Sequence, residues 1–398
     1  MAARKIGLAL AGGGPGGAVY EIGALRALEE ALEGVDFTAL HTYVGVSAGA
    51  VVAASLANGI SPAAMARAIV RAEPGEPPLR PEIFFTPFYK EWRRRSLKLP
   101  RLFLDVVLRF ARHPRDRSLL ESLARLGGAL PVAVFDNEPI RRFLANTFAR
   151  KGRTDDFRKL RRELIVVATD LEAGKPIRFG EPGLDRVPIS RAVQASTAFP
   201  GLYPPVTIDG RECVDGVLLK TMHASVALDH GADVVFCINP IVPIDIAAGA
   251  SRGLLHHGVL LERGLPAILS QTFRTMIHSR LEVGMAAYRT RYPGTDVLLF
   301  EPDSDEYRMF FTNVFKFGSR QSVCERAYEV TRATLRRGYT TFARRLARHG
   351  VQLRKDILDD TTRDLWTSVG LGEGQPSPLA SDLDRTLRDL ADLVEPPA

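Results

Sequence analysis

Twice within its first sixty residues the chain passes from a short aliphatic run, through glycine, into a helix-forming run. The first passage is "KIGLALA" (5 to 11), then "GGGPGG" (12 to 17), then "AVYEIGALRALEEALE", whose apolar residues recur at helical spacing. The second is a short strand near Thr42 to Val46, the pentapeptide Gly45-Val46-Ser47-Ala48-Gly49, and a helix from Ala48 to Asn58 that Gly59 is placed to end. Strands alternating with helices argue for a mainly parallel sheet covered on both faces. Sites in such folds lie at the carboxyl ends of strands, and both glycine clusters fall there.

The rhythm lapses from Pro74 to Pro131, where prolines and arginines mark an insertion. It resumes with a helix from Glu138 to Arg150, a strand over 163 to 170 and a helix around Arg191 to Ser196. "PPVTIDGRECVDG" reads as two short β runs about Asp209-Gly210, a hairpin-turn signal. A helix at "HASVALDHG" and a strand at "DVVFCIN" continue the pattern. Beyond Pro240, helical segments dominate up to a strand at Asp296 to Phe300 and a long basic helix ending near Arg348. The expected organisation is therefore an α/β core over 1–240 carrying the helical insertion 74–131, a mainly helical continuation over 241–348, and a polar tail over 349–398. In that tail "LASDLDRTLRDLADLV" has the spacing of an amphipathic helix.

At 398 residues, 45% apolar and 25% charged, the chain has the size and composition to bury one large core. Its three cysteines, Cys213, Cys237 and Cys324, are odd in number and lack CxxC spacing, so neither a disulfide framework nor a zinc site is expected. No run offers the roughly 20 apolar residues of a membrane span. The apolar run at the N-terminus is too short for a signal sequence. The expected location is cytoplasmic, with membrane contact at most peripheral.

Chemistry concentrates at Ser47. A nucleophile on a sharp strand-to-helix turn needs small neighbours, because the chain before and after it passes closely. Gly45 and Gly49 meet that need, and the helix N-terminus behind Ser47 favours developing negative charge. The plainer alternative is a serine that caps a helix beside chance glycines. In the first cluster, free backbone N–H groups could hold an oxyanion. The same letters satisfy GxGxxG through Gly12, Gly14 and Gly17, a dinucleotide-binding pattern. That pattern expects an acid at the end of the second strand, where Ser47 stands instead; Asp36 lies before the strand.

An activated serine also needs a base. His223 and His230 fall on the helix after the "VDG" segment. Asp215-Gly216 is a second candidate, since Asp209-Gly210 already supplies the hairpin turn. A carboxylate there could take the serine proton directly, although with an ordinary pKa of about 3.9 it is weakly basic unless desolvated.

"GLALAGGGPGG", "GVSAGAVVAASLANG", "ASTAFPGLYPPVTIDG" and "VDG", in that order, resemble the patatin-like phospholipases over roughly residues 5 to 60 and 163 to 240. The resemblance implies a three-layer α/β/α fold and a Ser–Asp dyad cleaving carboxylic esters of a lipid or phospholipid, with no metal or other cofactor needed for the dyad. It makes Ser47 the nucleophile and Asp215 the general base. Gly12, Gly13 and Gly14 would line the oxyanion hole, Gly17 would close the loop, and Gly45 and Gly49 would flank the nucleophile. Two positions depart from the family pattern. Gly16 stands where Arg or Lys is usual, and Val217 follows Asp215-Gly216 where a small residue is usual, with "LKTMH" in place of Asn-x-Pro.

The formal charge of +7 is unevenly spread. Between Arg80 and Ala129, twelve Lys or Arg stand against five Asp or Glu, a surplus equal to that of the whole chain. Phe84, Phe85, Phe88, Tyr89 and Trp92 are interleaved with Arg93-Arg94-Arg95, and "RLFLDVVLRFAR" (101 to 112) keeps its charges on one helical stripe. Such helices suit an anionic membrane surface, so peripheral membrane contact is expected through residues 84–125. The alternative is a helical cap whose arginines are merely solvated. Nucleic acid is not an expected partner, because no recognition motif accompanies the basic patch. A non-catalytic, membrane-associated lipid-binding protein that retains the fold is the alternative function.

Overall fold

The computed structural model describes residues 4–70, 81–97, 131–253, 255–303 and 317–371. Its strands are β1 (Ile6–Leu10), β2 (Leu32–Glu33), β3 (Thr42–Val46), β4 (Glu163–Asp170), β5 (Lys175–Phe179), β6 (Val206–Ile208), β7 (Arg211–Asp215), β8 (Val234–Ile238), β9 (Asp296–Phe300) and β10 (Gln352–Leu353). The main sheet runs β6-β7-β4-β3-β1-β8-β9, with β5 also paired to β4. From β4 to β9 along that order every neighbouring pair is parallel; β5, β6 and β7 are antiparallel additions. This is the expected mainly parallel α/β fold.

Side-chain alternation sorts the strands between two cores. Leu8 and Leu10 of β1, Tyr43 of β3, and Val234, Phe236 and Ile238 of β8 join one buried cluster with helices α1 (Gly14–Ala31), α2 (Ala48–Ala57) and Phe317–Arg337. Ala9, Val44, Val46, Val235 and Cys237 point the other way, onto helices Ala224–Asp229 and Leu265–Arg291. Both faces are covered, which is why these strands read as continuous apolar runs.

Several elements differ from expectation. Helix α1 begins at Gly14, inside the glycine cluster, because Pro15 falls at its first positions, where a fixed φ and a missing N–H are tolerated. Strand β5 gave no sequence signal: five residues containing Lys, Pro and Arg have no period-2 pattern. The long basic helix is two, Phe317–Arg337 and Tyr339–Ala347, divided at Gly338. The segment after Arg348, expected as a polar tail, buries Val351, Leu353, Leu358, Leu365 and Val369 in the larger core, and β10 pairs antiparallel with β2. Its apolar residues are divided among three short elements, so no single period revealed them. The hairpin turn is as expected, with Asp209 and Gly210 both at positive φ (49° and 76°). The helices expected over 101–112 and within 379–394 lie outside the described residues.

Candidate active site

Strand β3 ends at Val46 and α2 begins at Ala48, so Ser47 alone carries the change of direction. Its backbone sits at φ 52° and ψ −121°. Among the described non-glycine residues only Ser47 and Asp209 have positive φ, and Asp209 is in a hairpin turn where that is ordinary. Holding a serine there costs on the order of 1–3 kcal/mol, so its surroundings must over-determine it. They do. Ser47 N–H donates to Ser196 Oγ at 2.8 Å, and Ser196 Oγ–H donates to Val167 O of β4 at 2.6 Å. On either side the chain has no room for a side chain: a Cβ at Gly45 would lie 2.5 Å from Ala50 Cα, and one at Gly49 would lie 2.6 Å from Ala11 O.

Strand β4 brings the distant carboxylate to this turn. On one edge β4 pairs with β5, which takes Val166 through Asp170. On the other edge it pairs first with β3, the last partners being Val46 and Val167, and then with β7, whose Asp215 stands opposite Ala168. The carboxyl ends of β3 and β7 therefore meet at consecutive positions of one strand. Ser47 Oγ–H donates to Asp215 Oδ2 at 2.6 Å, across 168 residues of sequence. Asp215 Oδ1 accepts the N–H of Val217 at 2.9 Å, and Asp215 N–H donates to Ala198 O at 3.0 Å. Both side chains are buried. Burial raises the Asp215 carboxyl to about 7, against the opposing effect of its bonds from Ser47 and Val217.

The glycine loop lies against the pair. A Cβ at Gly12 would come within 3.3 Å of Ser47 Cβ and 3.2 Å of Val217 Cγ2. Its amides divide into two kinds. Gly12 N–H donates to Thr221 O and Gly17 N–H to Gly13 O, both at 3.0 Å. Those of Gly13, Gly14 and Gly16 meet no acceptor among the described residues. These three belong to the cap and first turn of α1, whose N-terminal partial charge is positive.

Neither histidine weighed as a base bonds to the pair. His230 sits near the opposite end of β4, its Nδ1 2.7 Å from Glu163 Oε1 and its Nε2 3.3 Å from Glu181 Oε1. His223 is buried, and burial holds its pKa at about 3. Asp36, the acid weighed for a dinucleotide site, accepts from Thr38 in a turn before β3. In helix Tyr89–Ser96, part of the expected basic contact, Glu91 pairs with both Arg94 and Arg95. Sequence reasoning missed Ser196: a serine at a helix end carries no signal until the fold sets it beneath Ser47.

Several known proteins are similar to this chain. Uncharacterized NTE family proteins of Mycobacterium tuberculosis and Mycobacterium bovis are 35% identical over 74 residues, which is 19% of this chain and 19% of each of theirs. Among solved structures, VipD from Legionella pneumophila superposes with a TM-score of 0.38 at 15% identity, covering 84% of this chain and 67% of that one. Full-length ExoU, in complex with SpcU from the type III secretion system of Pseudomonas aeruginosa, gives 0.30 at 16% identity, over 98% of this chain and 61% of that one. The model of a family described as patatin-like phospholipase matches residues 8–228. That span is more than half of the chain and contains the glycine loop, Ser47, Ser196 and Asp215, and on this match the chain belongs to the patatin-like phospholipase family.

Proposed function

We propose that the protein is a serine lipid acyl hydrolase that cleaves carboxylic esters with Ser47 as nucleophile and Asp215 as its base. Family membership supports a lipid-hydrolysing enzyme in general. The observation that carries the finer reading is the 2.6 Å bond from Ser47 Oγ to Asp215 Oδ2 at a turn with positive φ. As Ser47 attacks the ester carbonyl, its proton passes to Asp215 Oδ2 while the Val217 N–H holds Oδ1 in place. The carbonyl oxygen becomes an oxyanion, and the unpaired amides of Gly13 and Gly14 are the donors that would receive it. Asp215 returns the proton to the leaving alcohol. It then takes one from water, which attacks the acyl-enzyme and releases the fatty acid while Ser47 regains its hydrogen.

A carboxyl at about 7 suits both halves of this cycle, since proton exchange is most efficient when the catalytic pKa lies near the working pH. Val217 is compatible with the role because it contributes a backbone N–H, which any residue but proline supplies. The test is labelling with a fluorophosphonate probe alongside hydrolysis of a panel of lipid esters. Wild type should label at Ser47 and turn over; Ser47→Ala should do neither. Full activity in Ser47→Ala, or loss of the chemical step on replacing one histidine, would overturn the dyad. Tight lipid binding without labelling or turnover would favour the non-catalytic alternative.

A further inference from the structure

Helix Leu265–Arg291 rests on the same loops that carry the catalytic pair. Its Phe273 ring meets Phe199 with centroids 5.7 Å apart, and the residue before Phe199 supplies the carbonyl that Asp215 N–H bonds. Arg280 Nη1 donates to Leu218 O at 3.1 Å, three residues past Asp215. Ile277, Leu281 and Tyr288 are buried in the cluster that contains Val217. These contacts occupy the inner face of the helix, with Phe273 at its edge.

Its outer face has the wrong chemistry for water. Leu265, Leu269 and Val283 are 65, 53 and 70% exposed, and Ile268, Phe273 and Met276 are exposed beside them. At 3.6 residues per turn Leu265, Ile268, Leu269, Met276 and Val283 lie within about 100° of arc, turned away from the buried Ile277, Leu281 and Tyr288, with Phe273 at the edge between the two faces. Between Leu265 and Ser279 the single Lys, Arg, Asp or Glu is Arg274, which points inward and donates to Val242 O. A surface helix ordinarily turns its charged side outward, and a continuous exposed apolar stripe marks a contact surface. Charge identifies the partner: apart from the inward Arg274, residues 252–291 hold five arginines and two glutamates. Two copies of the chain meeting on this face would bring like charges together, whereas an apolar stripe flanked by cations complements an anionic lipid surface.

We propose that the outer face of helix Leu265–Arg291 docks the protein on an anionic lipid bilayer, placing the Ser47–Asp215 site at the interface; this rests on the lipid-hydrolase reading above. The test is co-sedimentation of the Ser47→Ala protein, which needs no turnover, with vesicles of phosphatidylcholine alone or mixed with phosphatidylglycerol. Binding should be stronger to the mixed vesicles. Adding Leu269→Glu and Met276→Glu should weaken it by at least about tenfold with no change in thermal midpoint. If the glutamates disturb folding, Leu269→Ser with Met276→Ser should still weaken binding in the same direction. Undiminished binding by both variants, or no vesicle binding by the parent, would overturn the proposal. So would a dimer that these exchanges dissociate without vesicle binding, which assigns the face to a second copy. Vesicle binding that persists in a wild-type protein unable to hydrolyse any ester would sink the dyad while leaving this surface standing.

Discussion

Replacing Asp215 by asparagine should inactivate the protein and stabilise it, by an amount that grows with pH. Asp215 is 2% exposed, and among the described residues no charged group offsets its burial, which raises its pKa from the ordinary 3.8 to about 7. Because the folded value lies above the unfolded one, the native state keeps a proton that the unfolded chain gives up between these two values. The stability this group contributes is complete below about pH 4 and is lost as pH rises to about 7. A gap of about three pH units, at about 1.4 kcal/mol each, makes the loss about 4 kcal/mol. Asparagine has nearly the same shape. Its carbonyl can accept from Val217 N–H and its amide can donate to Ser47 Oγ, so both bonds survive while the titration disappears. Urea unfolding should therefore show the Asp215→Asn advantage over wild type growing by about 3 kcal/mol between about pH 5 and pH 8.5. Turnover should fall by about 10²–10⁴-fold for want of a base. An advantage that is constant with pH, or that shrinks, would show that Asp215 titrates as an ordinary carboxyl and would refute the desolvation argument.

Ser196→Ala should strand two buried partners, Ser47 N–H and Val167 O, at a cost of about 1–3 kcal/mol in chemical unfolding. It should lower kcat more than it raises KM, because the turn loses its clamp; unchanged kcat would deny Ser196 any part in placing Ser47. Gly49→Ala puts a methyl 2.6 Å from a backbone oxygen, an overlap that only movement of β1 or α2 relieves. It should cost more than about 3 kcal/mol or prevent soluble expression, and a variant with wild-type stability would contradict the close approach.

The pentapeptide around Ser47 was legible because its chemistry is local: a turn at positive φ, with neighbours on both sides allowed no side chain, writes itself as Gly-x-Ser-x-Gly. Parallel topology was legible for the same kind of reason, from the alternation of strand and helix. What brings Ser47 and Asp215 together is not local. It depends on β4 pairing one edge with β3 up to Val167 and with β7 from Ala168, a register fixed by the burial of alternate side chains across the whole sheet. The glycine cluster shows a third case. Its letters announce a loop that offers amides, but which amides remain free depends on Thr221 capturing that of Gly12, a contact no spacing predicts.

The departure at Gly16 bears on the chemistry of the pair. A side-chain cation before the last glycine of the loop would act on two charges together, since the loop runs close enough to the pair that a Cβ at Gly12 would come within 3.3 Å of Ser47 Cβ and 3.2 Å of Val217 Cγ2. It would stabilise an oxyanion, and it would also favour the ionised form of Asp215 and pull its pKa down from about 7. With glycine there, the positive field comes from amides and the end of α1, and burial governs the Asp215 carboxyl, with no cation among the described residues acting on it. In wild type kcat/KM should accordingly rise through about pH 7 as Asp215 ionises. Gly16→Arg should move that rising limb to lower pH, measured with an uncharged ester so that substrate titration does not intrude. A limb that stays in place, or moves upward, would mean that position 16 does not act on the carboxylate and that the low-charge loop and the raised pKa are unconnected.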